Sequence, residues 1–185
     1  MKKIFVICSK AFYKDIPPIK EKLEENGWEV FLPHTYENPN AENEWYAKGK
    51  DEHAKMKGKM FRKSRDRIKS MDAVLTLNFD KNGKKNYVGG STFLELYEAF
   101  MEEKKIYLWN EIPEGILFDE ISGFAPEIIN GNLDLVKLIW GNIFKWYIMI
   151  NTSYSKSYGS YKINGKDLGL YHFNICGKEI YVKFL

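Results

Sequence analysis

The chain has 185 residues, of which 44% are hydrophobic and 16% aromatic, and its formal net charge is +3. This length suits one full domain with a small appendage, and the low net charge does not favour a nucleic-acid partner. Cys8 and Cys176 belong to no CxxC pair, so neither a disulfide framework nor a zinc site is indicated. The opening apolar run ends at Ser9, and no stretch is long enough to span a bilayer. We therefore expect a cytoplasmic protein without a membrane partner.

The charge is distributed unevenly along the chain. Between Lys48 and Lys69 there are ten basic residues and three acidic ones, a local balance of +7, and the remainder of the chain carries −4. A solvated charged helix face is the more common explanation of such a segment. The alternatives are a cationic rim that attracts a phosphorylated substrate and a weak nucleic-acid surface.

The first seventy residues predict two strands separated by a helix, followed by a longer helix. Residues 4–8 are continuously apolar, which is typical of a strand buried on both faces of a parallel sheet. Asp15 can cap the following helix and Gly27 suits its C-terminal end. Residues 28–32 predict the second strand. No GxGxxG and no GKS or GKT is present, so neither a dinucleotide nor a P-loop site is indicated.

A helix is predicted over residues 44–70, with a break near Gly49 or Gly58, because each glycine weakens a helix by about 1 kcal/mol. A strand at 73–77, a polar loop, a helix and a strand at 106–109 follow. Ile128 and Ile129 predict a short last strand. The pattern as a whole predicts an α/β fold with a parallel sheet.

The segment Gly89-Gly90-Ser91-Thr92 leads into the helix that carries Glu95. Thr92-x-x-Glu95 is a capping box, and closing the helix N-terminus is its more common use. The functional alternative is that the helix dipole favours the ionised carboxylate, which then attacks a sugar carbon. The glycines would let a substrate approach the backbone closely. Open α/β sheets keep ligand sites at this position, beyond the carboxyl end of a strand.

A second carboxylate is available in Asp72, which opens the strand before this loop. It is either an ordinary strand-edge or capping aspartate or a catalytic partner that donates a proton or holds the leaving base. Asp72 lies at the amino end of its strand whereas Glu95 follows the carboxyl end, so the two converge only if the loop 78–90 folds back or if the strand is very short. Asn78 and Asp80, at the carboxyl end, are the sterically easier partners.

Beyond residue 135 the composition changes. Aromatic residues crowd the segment 140–150, and apolar runs then alternate with turn signals, of which Asn164-Gly165 is a strong hairpin signal. Residues 141–185 therefore predict a small antiparallel β-meander. It is too small for a core of its own, so we expect it to pack on the main domain, 1–135, or on a second subunit of a homo-oligomer.

Four segments carry a family resemblance: IFVICSKAFY, MDAVLTLN, NYVGGSTFLELYEAF and IYLWNEIPE. Together they resemble the nucleoside 2-deoxyribosyltransferase-like superfamily, which includes deoxynucleoside-monophosphate N-glycosidases, over about residues 1–135. The most specific piece is the Gly-(Ser)-Thr-x-x-Glu turn. The resemblance implies a flavodoxin/Rossmann-like parallel sheet flanked by helices.

The resemblance also implies roles for individual residues. Glu95 matches the glutamate that attacks C1′ to give a covalent deoxyribosyl–enzyme intermediate. Ser91 lies where nucleotide-specific members hold a 5′-phosphate. The remaining predicted substrate-binding residues lie in the first-strand loop, after the third strand and in the glycine turn: Ser9, Phe12, Tyr13, Asn78, Asp80, Gly90 and Thr92.

The expected function is cleavage or transfer at the N-glycosidic bond of a nucleoside or nucleotide, without a cofactor or metal. Classical transferases carry an acidic residue shortly before the Gly-Thr, where this chain has Tyr87-Val88-Gly89, so hydrolysis is expected as well as transfer. His34, His53 and His172 show no metal-ligand spacing. Two alternatives remain: a non-catalytic nucleotide-binding module whose tail binds a partner, and a hydrolase of another N-glycoside such as NAD.

Overall fold

A computed structural model describes residues 2–136, 159–163, 166–175 and 178–183. The chain divides into two compact units, Met1–Leu138 and Ile139–Leu185. The first unit alternates strands and helices. Its strands are β1 (Lys2–Cys8), β2 (Trp28–Phe31), β3 (Ala73–Leu77), β4 (Lys105–Leu108) and β5 (Glu127–Ile128), and its helices are α1 (Ile16–Glu25), α2 (Ala41–Ala47), α3 (Lys50–Lys69), α4 (Gly90–Met101) and α5 (Phe118–Gly123).

The five strands form one sheet in the order β2-β1-β3-β4-β5, and every neighbouring pair is parallel. This is the flavodoxin-like order, in which the chain moves outwards in opposite directions from β1 and β3. The predicted α/β fold with a flavodoxin/Rossmann-like sheet flanked by helices is therefore confirmed. A crevice is expected outside the carboxyl ends of β1 and β3, where the strand order reverses.

Helices cover both faces of the sheet because alternate strand side chains point to opposite faces. On one face Ile4 and Val6 of β1 pack with α1; on the other Phe5 and Ile7 pack with α3, α4 and α5. These β1 side chains are completely buried. The uninterrupted apolar run of β1 follows from this two-sided burial.

Two glycines end helices as the sequence predicts. Gly27 follows α1 with a φ of +86°, a left-handed conformation that glycine adopts without steric cost. Gly49 separates α2 from α3 with a φ of +103°, so the predicted break lies there and α3 continues through Gly58. The structure adds a 3-10 turn at Lys10–Asp15 and the short helix α5, neither of which has a clear apolar repeat in the sequence.

The second unit is described at the level of its strands. β6 (Gly159–Ile163), β7 (Lys166–Ile175) and β8 (Lys178–Lys183) pair antiparallel in the order β6-β7-β8. The Asn164-Gly165 turn and the aromatic segment 140–150, on which the β-meander prediction also rests, lie outside the described residues. Across the described part of the chain, no helix has the length and apolar character needed to cross a membrane.

Candidate active site

A cleft of about 590 Å³ opens at the carboxyl edge of the parallel sheet. Its walls come from the segments that follow β1, β2 and β3, together with one side of α3 and the first two turns of α4. This is the position that the strand order predicts for a ligand site. Its size falls within the range of roughly 300–1,000 Å³ that is common for small-molecule sites.

Glu95 lines this cleft and is half-buried. Ser64 of α3 donates a hydrogen bond of 2.7 Å from its Oγ to Oε1 of Glu95. No ion pair to Glu95 is found among the described residues, although the charges of Arg67 and Lys57 act on it from a distance. A neutral hydroxyl, rather than a cation, therefore orients this carboxylate.

Burial raises the pKa of the Glu95 carboxyl from 4.5 to about 7. The hydrogen bond from Ser64 and the charges of Arg67 and Lys57 lower the pKa, but they do not offset desolvation. The predicted preference for the ionised form at the helix N-terminus is therefore wrong. Glu95 lies in the second turn of α4, where the influence of the helix dipole is already weak.

This raised pKa predicts a stability that depends on pH. The folded state holds the Glu95 proton more tightly than the unfolded state, so the stabilising contribution is complete below pH 4.5 and is lost as pH rises through 7. Glutamine has no such proton to lose, so the stability of Glu95→Gln should not depend on pH in this way. The difference in free energy of unfolding, Glu95→Gln minus wild type, should therefore increase by about 2 kcal/mol between pH 5 and pH 8. Urea unfolding at both pH values measures the change. An equal difference at both would contradict a raised pKa.

The capping-box interpretation of Thr92 and Glu95 is also wrong. Gly89 is the N-cap of α4, with extended backbone angles (φ −87°, ψ 164°), and no side chain caps the helix. The helix therefore begins three residues before the position that the capping box requires. This places the Glu95 carboxylate against Ser64 instead of against the helix N-terminus.

The glycine turn itself forms one edge of the cleft, and Gly90, Ser91 and Thr92 all line it. Ser91 is exposed, whereas Thr92 is buried with 4% of its surface accessible. A Cβ atom added at Gly90 would meet no atom within 4 Å, so the backbone borders open space here. The glycine turn therefore brings Gly90, Ser91 and Thr92 together at one edge of the cleft.

The first-strand loop divides between two cavities. Ser9 and Tyr13 line the cleft. Lys81 donates to Ser9 Oγ at 2.9 Å, and Tyr13 shares a hydrogen bond of 2.6 Å with Thr35. Burial raises the pKa of Tyr13 to about 12, so the phenol stays protonated. Phe12 does not line the cleft: it is 4% exposed, packs edge-on against Phe79 at 5.3 Å and borders a separate cavity of about 440 Å³.

The structure corrects the prediction for Asp72, which does not approach Glu95. Asp72 is exposed just before the amino end of β3 and accepts a hydrogen bond of 2.7 Å from the Lys3 backbone N–H. The carboxyl edge lies beyond the five residues of β3, on the order of 16 Å away at the rise of a strand. Asp72 therefore joins β1 to β3 at the opposite edge of the sheet, as the strand-edge interpretation holds.

Asn78 and Asp80 do lie at the carboxyl edge, but neither lines the cleft with Glu95. Asn78 is completely buried, and its side chain bonds to the backbone of Asn110 and Glu111. Asp80 is exposed, accepts a hydrogen bond of 2.9 Å from the Asn86 N–H and borders the smaller cavity. The prediction that Asn78 contacts substrate is wrong, because every polar atom of its side chain is already used.

The cleft is also lined by residues that the sequence did not single out as site residues. His34 follows β2 and lines the cleft, and burial together with the charge of Arg67 lowers its pKa, so the imidazole is neutral near pH 7. Glu42 of α2 pairs with Lys57 of α3 at 2.9 Å. Lys57 belongs to the basic segment Lys48–Lys69, so one of its ten cations does face the cleft.

The comparisons with known proteins assign no family. No family model matches the chain, and no curated protein shows significant similarity to it. Within the parts of the chain that the structure describes, no three His, Cys, Asp or Glu residues gather as a metal site would require. The cleft and the side chains that line it are therefore the features of this protein that indicate a function.

Proposed function

We propose that the cleft binds a nucleoside or nucleotide and that Glu95 attacks its anomeric carbon, cleaving or transferring the N-glycosidic bond. One observation carries this proposal. Of the two carboxylates that line the cleft, Glu42 is held by Lys57 at 2.9 Å, whereas Glu95 is held by the Ser64 hydroxyl. A carboxylate that is not neutralised by a close cation keeps more of its electron density for attack on carbon.

The proposed reaction has two steps, formation and release of a covalent glycosyl–enzyme intermediate. An oxygen of the ionised Glu95 forms a bond to C1′ while the C1′–N bond breaks, and the base leaves with the electron pair and takes up a proton. Water or a second base then attacks C1′, and the glutamate leaves as a carboxylate. The transition state has oxocarbenium character, which a close anion stabilises, as in retaining glycosidases.

The remaining walls suit the parts of such a substrate. Four aromatic side chains offer flat surfaces for a base. They are Tyr13, Trp45, Phe61 and Tyr87. Ser9, Ser91 and Lys81 supply hydroxyl and ammonium donors to the same cleft, as a 5′-phosphate requires. We therefore propose 5′-nucleotides as the preferred substrates over nucleosides.

A substrate panel tests the proposed function. The full chain is incubated with deoxynucleosides, their 5′-monophosphates and NAD, with and without a second free base, and released or exchanged base is followed by chromatography. Release from a 5′-monophosphate supports the proposal, and base exchange identifies transfer. Saturable nucleotide binding by calorimetry without any base release would instead identify a non-catalytic nucleotide-binding module.

The Ser64 hydrogen bond predicts a shift of the pH profile. Because Glu95 must be ionised to attack, kcat/KM should rise with pH and level off, and the midpoint of this rise should lie near pH 7. Ser64→Ala removes a bond that favours the ionised form and should move the midpoint upwards by about one pH unit. Profiles of both proteins on one substrate measure this. Ser70→Ala is the matched control, because the Ser70 hydroxyl donates to the Arg67 carbonyl and not to Glu95. Equal midpoints for wild type, Ser64→Ala and Ser70→Ala would refute the role of Ser64.

A further inference from the structure

Two neighbouring cavities share part of their walls at the carboxyl edge of the sheet. Ala11 of the first-strand loop and Lys81 of the loop after β3 line both the cleft and the cavity of about 440 Å³. The Lys81 ammonium donates to Ser9 Oγ at 2.9 Å and lies 4.7 Å from the centre of the Tyr87 ring. No carboxylate pairs with it in the described part of the chain. An ammonium group without an anionic partner therefore lies where the two cavities meet.

The smaller cavity has the composition of a nucleoside site. Phe12 and Phe79 give it an aromatic wall, Asp15 and Asp80 add two carboxylates, and the exposed Lys14 also lines it. Asp15 occupies the N-cap position of α1 but makes no capping hydrogen bond, so the cap that the sequence predicts is absent and the carboxylate is available to a ligand. Carboxylates accept hydrogen bonds from ribose hydroxyls, as in dinucleotide sites, and aromatic side chains pack against a base.

The cleft has no carboxylic acid or imidazolium, among the described residues, that could protonate a leaving base. Asp72, the predicted donor, lies at the opposite edge of the sheet. Glu42 is ionised because its hydrogen bond with Lys57 lowers its pKa, and His34 is neutral near pH 7 because burial lowers its pKa. Glu95 is the proposed nucleophile.

This lack of a proton donor favours one class of leaving base. A neutral purine or pyrimidine must take up a proton as it leaves, and without a positioned acid this step is slow. A base that is cationic while it is bonded to the sugar needs no proton, because the electron pair of the C1′–N bond makes it neutral as it leaves. The cleft is therefore suited to a cationic base.

The other side chains of the cleft also suit a cationic ring. Trp45 and Phe61 line the cleft together with Glu95, and aromatic side chains and carboxylates both attract cations. The attraction weakens once the C1′–N bond breaks, because the released base is neutral. The cleft therefore binds such a substrate more tightly than it binds the released base.

We propose that the substrate is a dinucleotide: its cationic base lies in the cleft, its pyrophosphate lies at Lys81, and its second nucleoside lies in the smaller cavity. The inference rests on the proposed function for the bond that is cleaved. Glu95 bonds to C1′ as the C1′–N bond breaks and the neutral base leaves with the electron pair. Water then attacks C1′, which gives the free sugar hydroxyl, a proton and the regenerated Glu95 carboxylate.

Calorimetry tests the second nucleoside site. The full chain carrying Glu95→Gln, which should not consume the ligand, is titrated with nicotinamide mononucleotide and with NAD. The two ligands share the cationic base and the 5′-phosphate and differ in the adenosine monophosphate half. NAD should bind at least ~10-fold more tightly, because this half fills the smaller cavity. Equal affinities would overturn the dinucleotide proposal, whereas base release from a mononucleotide by wild type would still support the proposed function.

Asp15→Ala tests which cavity holds the second nucleoside, since Asp15 lines only the smaller one. It should weaken NAD binding about 10-fold and nicotinamide mononucleotide binding by less than about twofold. Asp119→Ala is the control, because Asp119 is an exposed aspartate in the first turn of α5 that lines neither cavity. Circular dichroism checks that both variants are folded. A folded Asp15→Ala variant that binds both ligands as tightly as Asp119→Ala would overturn the placement.

Base release by wild type tests the preference for a cationic base. At saturating substrate, nicotinamide should leave NAD at least ~100-fold faster than adenine leaves its 5′-monophosphate or 5′-deoxymonophosphate. Release of adenine at the same rate or faster would overturn this preference. Tight NAD binding without release of any base would contradict the proposed attack by Glu95 and would still support the dinucleotide site, so the two proposals fail separately.

Discussion

Glu95→Gln should reduce the rate of base release by a factor of at least ~10³, which corresponds to about 4 kcal/mol of transition-state stabilisation. Glutamine has the shape of glutamate and keeps an oxygen that can accept the Ser64 hydrogen bond, but its amide does not attack carbon. Nucleotide affinity should change by no more than a few-fold, because the base and phosphate contacts remain. Single-turnover assays and equilibrium dialysis separate the two effects.

Two matched variants make this result specific. Glu98→Gln changes the next carboxylate along α4, which pairs with Arg65 at 3.4 Å and does not line the cleft. Asp72→Asn changes the carboxylate at the opposite edge of the sheet. Both variants should keep the activity of wild type. The proposed role of Glu95 fails if Glu95→Gln releases base at the wild-type rate, or if Asp72→Asn loses as much activity as Glu95→Gln.

The position of Glu95 could be predicted from local sequence because it depends on local structure. A buried strand, a polar loop and Gly89-Gly90 before a helix are enough to place the side chain at the carboxyl edge of a parallel sheet. Ser9 and Ser91 follow for the same reason, since each succeeds a strand or opens a helix at that edge, and both line the cleft. Local sequence patterns therefore predict the fold and one wall of the cleft.

The partners of Glu95 could not be predicted because they are set by helix packing. Ser64 is 31 residues away, on a helix whose sequence is dominated by basic residues. Its contact with Glu95 depends on how α3 and α4 pack together over the sheet, which no local pattern encodes. The helix terminus predicts an ionised Glu95, whereas desolvation by the same packing raises its pKa.

Asp72 and Asn78 show two other reasons why site residues cannot be identified from the sequence alone. Strand direction decides the case of Asp72, because a parallel strand places its first and last residues at opposite edges of the sheet. Asn78 lies at the carboxyl edge of the sheet, where the cleft opens. A polar side chain at this edge can bind a ligand, or it can form hydrogen bonds to the backbone that follows a neighbouring strand. The sequence does not distinguish these uses, whereas the hydrogen bonds to Asn110 and Glu111 do.

Asn78→Ala should therefore lower the free energy of unfolding by about 3 kcal/mol and leave nucleotide affinity unchanged. The Asn78 side chain donates to the carbonyls of Asn110 and Glu111 at 3.1 and 2.9 Å and accepts from the Asn110 N–H at 2.8 Å. Alanine removes these three part-buried hydrogen bonds, each of which contributes about 0.5–1.5 kcal/mol to stability. Urea unfolding measures the stability and calorimetry the affinity.

Asp80→Ala provides the comparison for Asn78→Ala, because Asp80 lies two residues further along the same strand end and is exposed. It loses one hydrogen bond, to the Asn86 N–H, and should cost less than about 1 kcal/mol. A stable Asn78→Ala variant with weakened nucleotide binding would restore the original prediction that Asn78 contacts substrate. A large loss of stability with unchanged affinity would show that Asn78 joins the ends of β3 and β4 and does not contact the ligand.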